Sequence, residues 1–346
     1  IHPVRPHYST LLKFDAPNYP KITGDLATSW KAANDGLTYT FKLRNNVKFH
    51  DGSPLTSADI KATYDRIRTP PAGVRSLRQA VYADIASIDT PNAQTVVFKL
   101  KKANASMLSN FASPFDCVYS AAKLKQDPKF PERNIVGTGP FTFVEHVAGS
   151  HWVGKRFDGY YEKGKPYLDG YRAVFISGAP MVNALAAGEV MAEFRGHSPT
   201  DRDRLVKTLG DKAVVVESPW VCSLVINFNT LKKPFDDARV RRALSLGIDR
   251  WGGAEALSRI ALVRHVGGIL RPGYELAASG QELVKMAGFS FDMAASRAEA
   301  KRLLKEAGQE NLTFKLTNRN IAMPYTPVGV FLIDQWRQIG LNVEHQ

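Results

Sequence analysis

Residues able to do chemistry occur throughout this 346-residue sequence, yet their spacing assembles no catalytic set. His146 and His151 lie five residues apart, as do His2 and His7. Two imidazoles on one helix face need a separation of three or four. Read one by one, the eight histidines are surface or core-satisfied side chains. Asp236-Asp237 places two carboxylates side by side, as a metal would need, but the pair precedes an apolar-periodic run and is explained by helix capping. Glu189 and Glu193 form an acid–base pair only if folding brings them together. No G-x-S-x-G stretch supplies a serine nucleophile. Gly137-Thr138-Gly139 lacks the Lys-Ser/Thr of a phosphate cradle and the full G-x-G-x-x-G spacing, so it marks a tight backbone passage instead. The expectation is no catalytic residue, no metal and no cofactor.

The composition allows more than one core. Of the residues, 44% are hydrophobic and 23% charged, and a single core seldom grows past about 250–300 residues. No apolar run approaches the roughly 18 residues of a membrane span. The chain begins at Ile1 without a basic and apolar leader, so an exported form has its signal peptide left out. Lys and Arg number 46 against 33 Asp and Glu, a net charge of +13. Such a balance suits nucleic acid, an anionic surface or an acidic small ligand. The cations are dispersed in short pairs (Lys101-Lys102, Lys232-Lys233, Arg241-Arg242) without a basic arm or nucleic-acid motif, so no nucleic-acid partner is expected. Cys117 and Cys222 fit neither a zinc site nor a disulfide-rich scaffold; one bridge and two buried thiols both remain open.

Periodicity places the elements. Tyr39, Phe41 and Leu43 alternate with polar residues, and Val47 and Phe49 repeat the alternation after Arg44-Asn45-Asn46, which predicts a β-hairpin. Thr56 with Asp59 forms a capping box for a helix ended by Pro70-Pro71. A strand is expected at Thr95–Leu100 and helices at Asn104–Phe111 and Met181–Ala187. Ser198-Pro199 starts a helix carrying Leu205, Val206 and Leu209 inward and stopping at Gly210. Two apolar runs, Ala213–Glu217 and Val221–Phe228, read as buried strands. Asp236 caps the next helix, with Phe235 stapled to Val240, and Val240, Leu244 and Ile248 on its inner face. Ser296 with Glu299 boxes a helix to Gly308. A strand at Leu312–Leu316, a helix from Thr326-Pro327 and a strand at Leu341–Glu344 follow. Strands alternating with helices make an α/β architecture.

Four segments carry a family resemblance. GDLATSWKAANDGLTYTFKLRNNVKFHDGSPLTSADIKATYDR, from Gly24, is similar to the hallmark of the peptide- and nickel-type extracellular solute-binding proteins of ABC importers (family 5). GTGPF (Gly137–Phe141), the YEKGKPYLD run from Tyr161, and FNTLKKPFDDARVRRALSLGIDR (Phe228–Arg250) resemble its later signatures; Phe157-Asp158-Gly159 departs where Asn-Pro is usual. The resemblance covers nearly the whole chain. It implies an α/β periplasmic-binding-protein fold of type II, with two lobes of mixed β-sheets flanked by helices and an inserted subdomain. Residues 1–12 and 139–222 would form the first lobe, 13–138 the inserted subdomain, and 223–346 a second lobe that is incomplete at Gln346.

The same resemblance implies a periplasmic, monomeric protein without enzymatic turnover. It would hold a small polar solute, peptide-like or carboxylate-bearing, in the interlobe cleft and deliver it to an ABC permease in the inner membrane. A peptide- or solute-sequestering, chaperone-like relative without a dedicated permease is the alternative, with nucleic-acid binding a more distant one. Three stretches supply candidate ligand-binding residues. Trp220, Cys222, Leu224, Asn227 and Asn229 lie on the segment that crosses between lobes, where alternate strand residues share a face. Arg75, Arg78 and Tyr82 follow the first helix, on a loop that bears an aromatic residue in peptide-binding relatives; Ser76 stands near that place here. Two arginines there would suit a carboxylate, which guanidinium grips in a fork. Phe115 and Tyr119 would give an apolar wall.

Overall fold

The computed structural model describes residues 2–176, 178–194, 196–217 and 223–346. They form two compact units, one reaching to Phe175 and the other starting at Ile176.

In the first unit a 3-10 turn at Arg5–His7 leads into β1 (Leu12–Phe14), which pairs antiparallel with β2 (Ile22–Gly24). β3 (Ala27–Ala32) and β4 (Thr38–Leu43) make a hairpin around Asn34-Asp35-Gly36, with Gly36 at φ 69°, a backbone region glycine enters without strain. After α1 (Ser57–Arg68), β5 (Ile85–Asn92) and β6 (Thr95–Leu100) complete an antiparallel sheet of order β3-β4-β6-β5. Tyr39, Phe41 and Leu43 of β4 and Val96, Phe98 and Leu100 of β6 face inward, where they meet Ile60 and Tyr64 of α1 and Phe111 of α2 (Met107–Phe111). Phe98 and Phe111 lie 4.7 Å apart. Two short helices follow, α3 (Ala121–Gln126) and α4 (Phe130–Arg133), and then an antiparallel meander of β7 (Phe141–Val147), β8 (His151–Arg156) and β9 (Gly170–Val174).

Local sequence explains the ends of α1. The backbone N–H of Thr56 donates to Asp59 Oδ2 at 2.7 Å, and Asp59 Oδ1 accepts from Ala121 N–H, so one carboxylate caps the helix and ties α3 to it. The expected Tyr39–Phe49 hairpin does not form. β4 pairs with β3 and β6, and Lys48 makes only an isolated bridge with Pro54. Asn46, at φ 59°, turns the chain so that Val47 and Phe49 enter the core from a loop rather than return along β4. Alternation identified the buried side chains but not the partner strand.

The second unit is mainly helical: α5 (Ala179–Ala186), α6 (Pro199–Leu209), α7 (Ala238–Leu246), α8 (Arg250–Ser258), α9 (Gly280–Leu283) and α10 (Met293–Glu306). β10 (Thr313–Leu316), α11 (Tyr325–Arg337) and β11 (Asn342–His345) then form a βαβ unit with parallel strands. Val240 and Leu244 of α7, Leu303 and Leu304 of α10, and Ile333 and Trp336 of α11 make one core. The Trp336 indole N–H donates to Leu244 O at 2.9 Å.

Four expectations for this unit need correction. The residue capping α7 is Asp237, whose Oδ1 accepts from Arg239 N–H at 2.8 Å, not Asp236. α10 starts four residues early, because Asp292 rather than Ser296 caps it, at Ala295 N–H, and Glu299 pairs instead with Arg302. Ser198 caps α6 as expected, with Leu205 buried, but Val206 is exposed. The largest departure is at the two apolar runs. Residues 213–217 form no strand, and Val214 and Val216 are 87% and 85% exposed; residues 223–229 also form no strand. β-branched residues favour a strand only where a neighbouring strand offers its ladder and side chains, and among the described residues no strand pairs with these runs. Residues 218–222 lie outside the described part.

Candidate binding site

In the first unit the candidates gather around an acid that sequence reasoning passed over. Asp116 has no exposed surface. Arg78 grips it with both arms of the guanidinium, Nε to Oδ1 at 2.7 Å and Nη2 to Oδ2 at 3.1 Å. The Tyr82 hydroxyl lies 2.6 Å from Asp116 Oδ2 and 2.8 Å from Asn110 O, and the Arg78 guanidinium sits over the Tyr82 ring at 5.6 Å. Burial pushes the Asp116 carboxyl up, while the Tyr82 hydrogen bond and Arg78 pull it back. Burial, then Asp116, holds the Tyr82 hydroxyl well above its ordinary value. Burial opposes the Arg78 charge, but hydrogen bonds to Asp116 and Tyr82 and the attraction of Asp116 together raise it. A planar bidentate pair of this kind is strong and directional.

This arrangement differs from the one expected of Arg78 and Tyr82. Tyr82 is fully buried, and the Arg78 fork is already occupied by Asp116, so in this arrangement neither presents a free group to a carboxylate. They clamp the 3-10 turn Gln79–Tyr82 against the Ser113–Tyr119 loop and hold the flanking residues outward. Leu77 and Phe115, adjacent to the two ion-pair partners, are 82% and 58% exposed, and Arg75 is exposed. Tyr119 packs edge-on against Tyr8 at 5.4 Å, beneath the Arg66 guanidinium, and its N–H donates to Thr63 Oγ1. Burial pushes its hydroxyl up to about 12. Next to this wall, Cys117 is a free, buried thiol pushed up to about 11 by burial.

In the second unit Leu224, Asn227 and Asn229 all have exposed side chains. The backbone N–H of Leu231 donates to Asn229 Oδ1 at 3.1 Å, an Asx turn ahead of α7. Between them, Ile226 and Phe228 pack on the core, with Phe228 stacked on Phe235 at 5.4 Å. Trp220 and Cys222 lie outside the described residues.

A second feature of the first unit also escaped sequence reading. Arg5, Tyr8, Ser9, Lys13, Asp25 and Tyr160 line a concavity of about 460 Å³. Asp25 organises its floor, accepting from Thr10 N–H at 2.8 Å and from the Tyr161 hydroxyl at 2.7 Å, with Lys13 Nζ at 3.5 Å. Glu162 bonds Lys13 and Lys165, which overcome the opposing effect of burial and lower it to about 2. Asp25 and Asp116 share the one signal available, an acid set among apolar or aromatic neighbours. Among the described residues no group of three or more His, Cys, Asp or Glu is placed to hold a metal, and no helix is long and apolar enough to cross a membrane.

Comparison with known proteins follows this geometry. The model of the bacterial extracellular solute-binding proteins, family 5 Middle, matches residues 21–346. The chain is 31% identical over 350 residues to the glutathione-binding protein GsiB of Pectobacterium atrosepticum, a match covering 97% of this chain and 62% of that protein. Among solved structures it is similar to the binding protein AgaA of A. tumefacien R10 in complex with agropinic acid. The TM-score is 0.79 at 27% identity, over 99% of this chain and 67% of that one. The periplasmic binding protein DppA of Helicobacter pylori, in complex with peptide STSA, is similar in fold, with TM-score 0.78 at 24% identity over 98% of this chain and 67% of that one. The chain thus has the mixed α/β fold of periplasmic binding proteins and spans about 62% of the length of the curated relative it matches.

Proposed function

Because the chain belongs to the bacterial extracellular solute-binding proteins, family 5, we propose that it is the substrate-binding component of an ABC importer, with a peptide-like or carboxylate-bearing small solute as ligand. The family match over residues 21–346 is the observation that carries this reading. The relatives are named for, or hold, glutathione, agropinic acid and a peptide, and glutathione and peptides share a carboxylate set among amides. In this reading residues 1–12 and 139–222 are the first lobe, 13–138 its inserted subdomain and 223–346 part of the second. The protein works outside the cytoplasm, binds without chemical turnover and delivers its solute to a membrane permease.

The first-unit surface is compatible with such a ligand. Phe115 and Leu77 offer apolar contact on a frame fixed by the Arg78–Asp116 pair, and the exposed Arg75 supplies a cation. Leu224, Asn227 and Asn229 remain candidates on the second unit, with Trp220 and Cys222. A rigid apolar frame with a few polar groups is the usual make-up of a small-molecule site. Calorimetric titration of the full-length protein with glutathione, short peptides, opine-type organic acids and a polyamine tests the reading. Binding to members of the first three classes supports it, and binding confined to the polyamine refutes it.

A further inference from the structure

His7 is buried at the meeting of the N-terminal segment with the β7-β8-β9 meander, and each of its nitrogens is engaged. Nδ1 lies 2.7 Å from Phe141 O. A carbonyl only accepts, so Nδ1 carries the proton and Nε2 the lone pair. The Trp152 indole N–H donates into that lone pair at 2.8 Å. The Tyr171 oxygen lies 2.8 Å from the same nitrogen, while its hydroxyl also reaches Pro3 O. An imidazole nitrogen has one in-plane lone pair, so Trp152 and Tyr171 compete for a single position.

There is little slack around the ring. A Cβ on Gly139 would come within 2.5 Å of the His7 backbone, and one on Gly154 within 3.1 Å of His7 Cε1 and 2.4 Å of the Tyr171 ring. His50, with its ring centroid 6.4 Å from that of His7, holds the same passage from the other side: its Nε2 lies 2.9 Å from Gly139 O, and Gly137 N–H points at its Nδ1. Arg5 lies on the turn that carries His7, and His146 packs on Trp152. Tyr171 completes the titratable surroundings, and among the described residues no carboxylate is a hydrogen-bond partner of the ring.

We propose that His7 is an acid-sensitive latch between the N-terminal segment and the β7-β8-β9 meander. Neutral His7 accepts the Trp152 N–H and grips Phe141 O. A proton taken from solvent at Nε2 turns that nitrogen into a donor to the Tyr171 oxygen. The Trp152 N–H, 2.8 Å away, then faces an N–H and loses His7 as its acceptor. The new cation is buried, and among the described residues it gains no carboxylate partner, so the segment opens rather than absorb the charge. Burial, followed by the Phe141 bond that opposes it and by His50, already lowers His7 from 6.5 to about 4, which places the opening on the acid side of neutrality.

The test is a titration of the full-length, 15N-labelled protein from about pH 7.5 to about pH 3.5, following the Trp152 indole N–H and the exchange of the Gly139 amide, which donates to His7 O. The latch predicts that the indole resonance shifts or disappears below pH 6.5 and that Gly139 protection falls by roughly tenfold or more beyond the intrinsic pH trend. His7→Gln should abolish the indole transition, and His50→Asn should leave it in place. Should His7→Gln fail to fold, Tyr171→Phe removes the acceptor of the charged form and should move the transition to lower pH. An indole resonance constant across the titration overturns the proposal. So does a transition unmoved in His7→Gln, or unmoved in Tyr171→Phe.

Discussion

Replacing Arg78 with methionine isolates the electrostatics of the clamp. Methionine keeps most of the stem and leaves Asp116 buried, with the Tyr82 hydroxyl as its remaining side-chain partner. Removing one partner of a buried pair costs about 3–5 kcal/mol, because the other charge stays uncompensated. Arg78 is 25% exposed, and water screens part of its attraction, so the lower end, about 3 kcal/mol, is expected. For a unit of this size that is a fall of roughly 6–12 °C in Tm. The sign of the pH dependence is set by the acid. Without Arg78 the folded Asp116 pKa rises further above its unfolded value, so the penalty is present at neutral pH and is relieved as pH falls and the carboxyl takes a proton. Urea unfolding at a neutral and an acidic pH measures both quantities, and Arg78→Met/Asp116→Asn should recover most of the loss. A cost below about 1 kcal/mol, or one equal at the two pH values, would refute the reasoning.

Other outcomes follow from named contacts. Asp59→Ala removes the acceptor of both Thr56 N–H and Ala121 N–H and should cost about 1–2 kcal/mol in chemical denaturation. Gly139→Ala drives a methyl into the His7 backbone and should cost about 1–3 kcal/mol or abolish soluble expression. Val214→Ser and Val216→Ser should change stability by less than about 0.5 kcal/mol, since both side chains are exposed; a loss of several kcal/mol would restore the buried-strand reading. Cys117 should resist alkylation in the native protein at mildly alkaline pH and react at once in urea, as a buried thiol pushed up to about 11 requires.

Much of the architecture is legible in the sequence, and the limits have physical causes. Caps were readable where side chain and backbone form a closed local ring, as at Thr56–Asp59 and Ser198–Asp201. Where two acids compete, as at Asp236-Asp237, or a further acid lies upstream, as at Asp292, local chemistry names the neighbourhood but not the residue. Strand partners depend on distant chain. Tyr39–Leu43 showed which side chains turn inward yet not that Ala27–Ala32 and Thr95–Leu100 would flank them. Val214–Val216 had the composition of a buried strand and lies exposed without a ladder.

The candidate site was legible mainly as a set of neighbourhoods. Phe115 and Arg75 are exposed, whereas Arg78 and Tyr82 turn inward to Asp116, 38 and 34 residues away in sequence. Periodicity within a single segment carries no information about that pairing. His7 shows the same limit, with partners at Phe141, Trp152 and Tyr171 that no spacing rule links to the N-terminus.

Solute capture is the central claim, and native mass spectrometry of full-length protein purified without denaturation addresses it most directly. A 1:1 adduct with a peptide-like or carboxylate-bearing solute is expected, recovered chemically unchanged and displaced by an excess of a binder from the calorimetric panel. An adduct recovered as a reaction product, or a protein that carries no solute and takes up none from glutathione, peptides or opine-type acids, would contradict it.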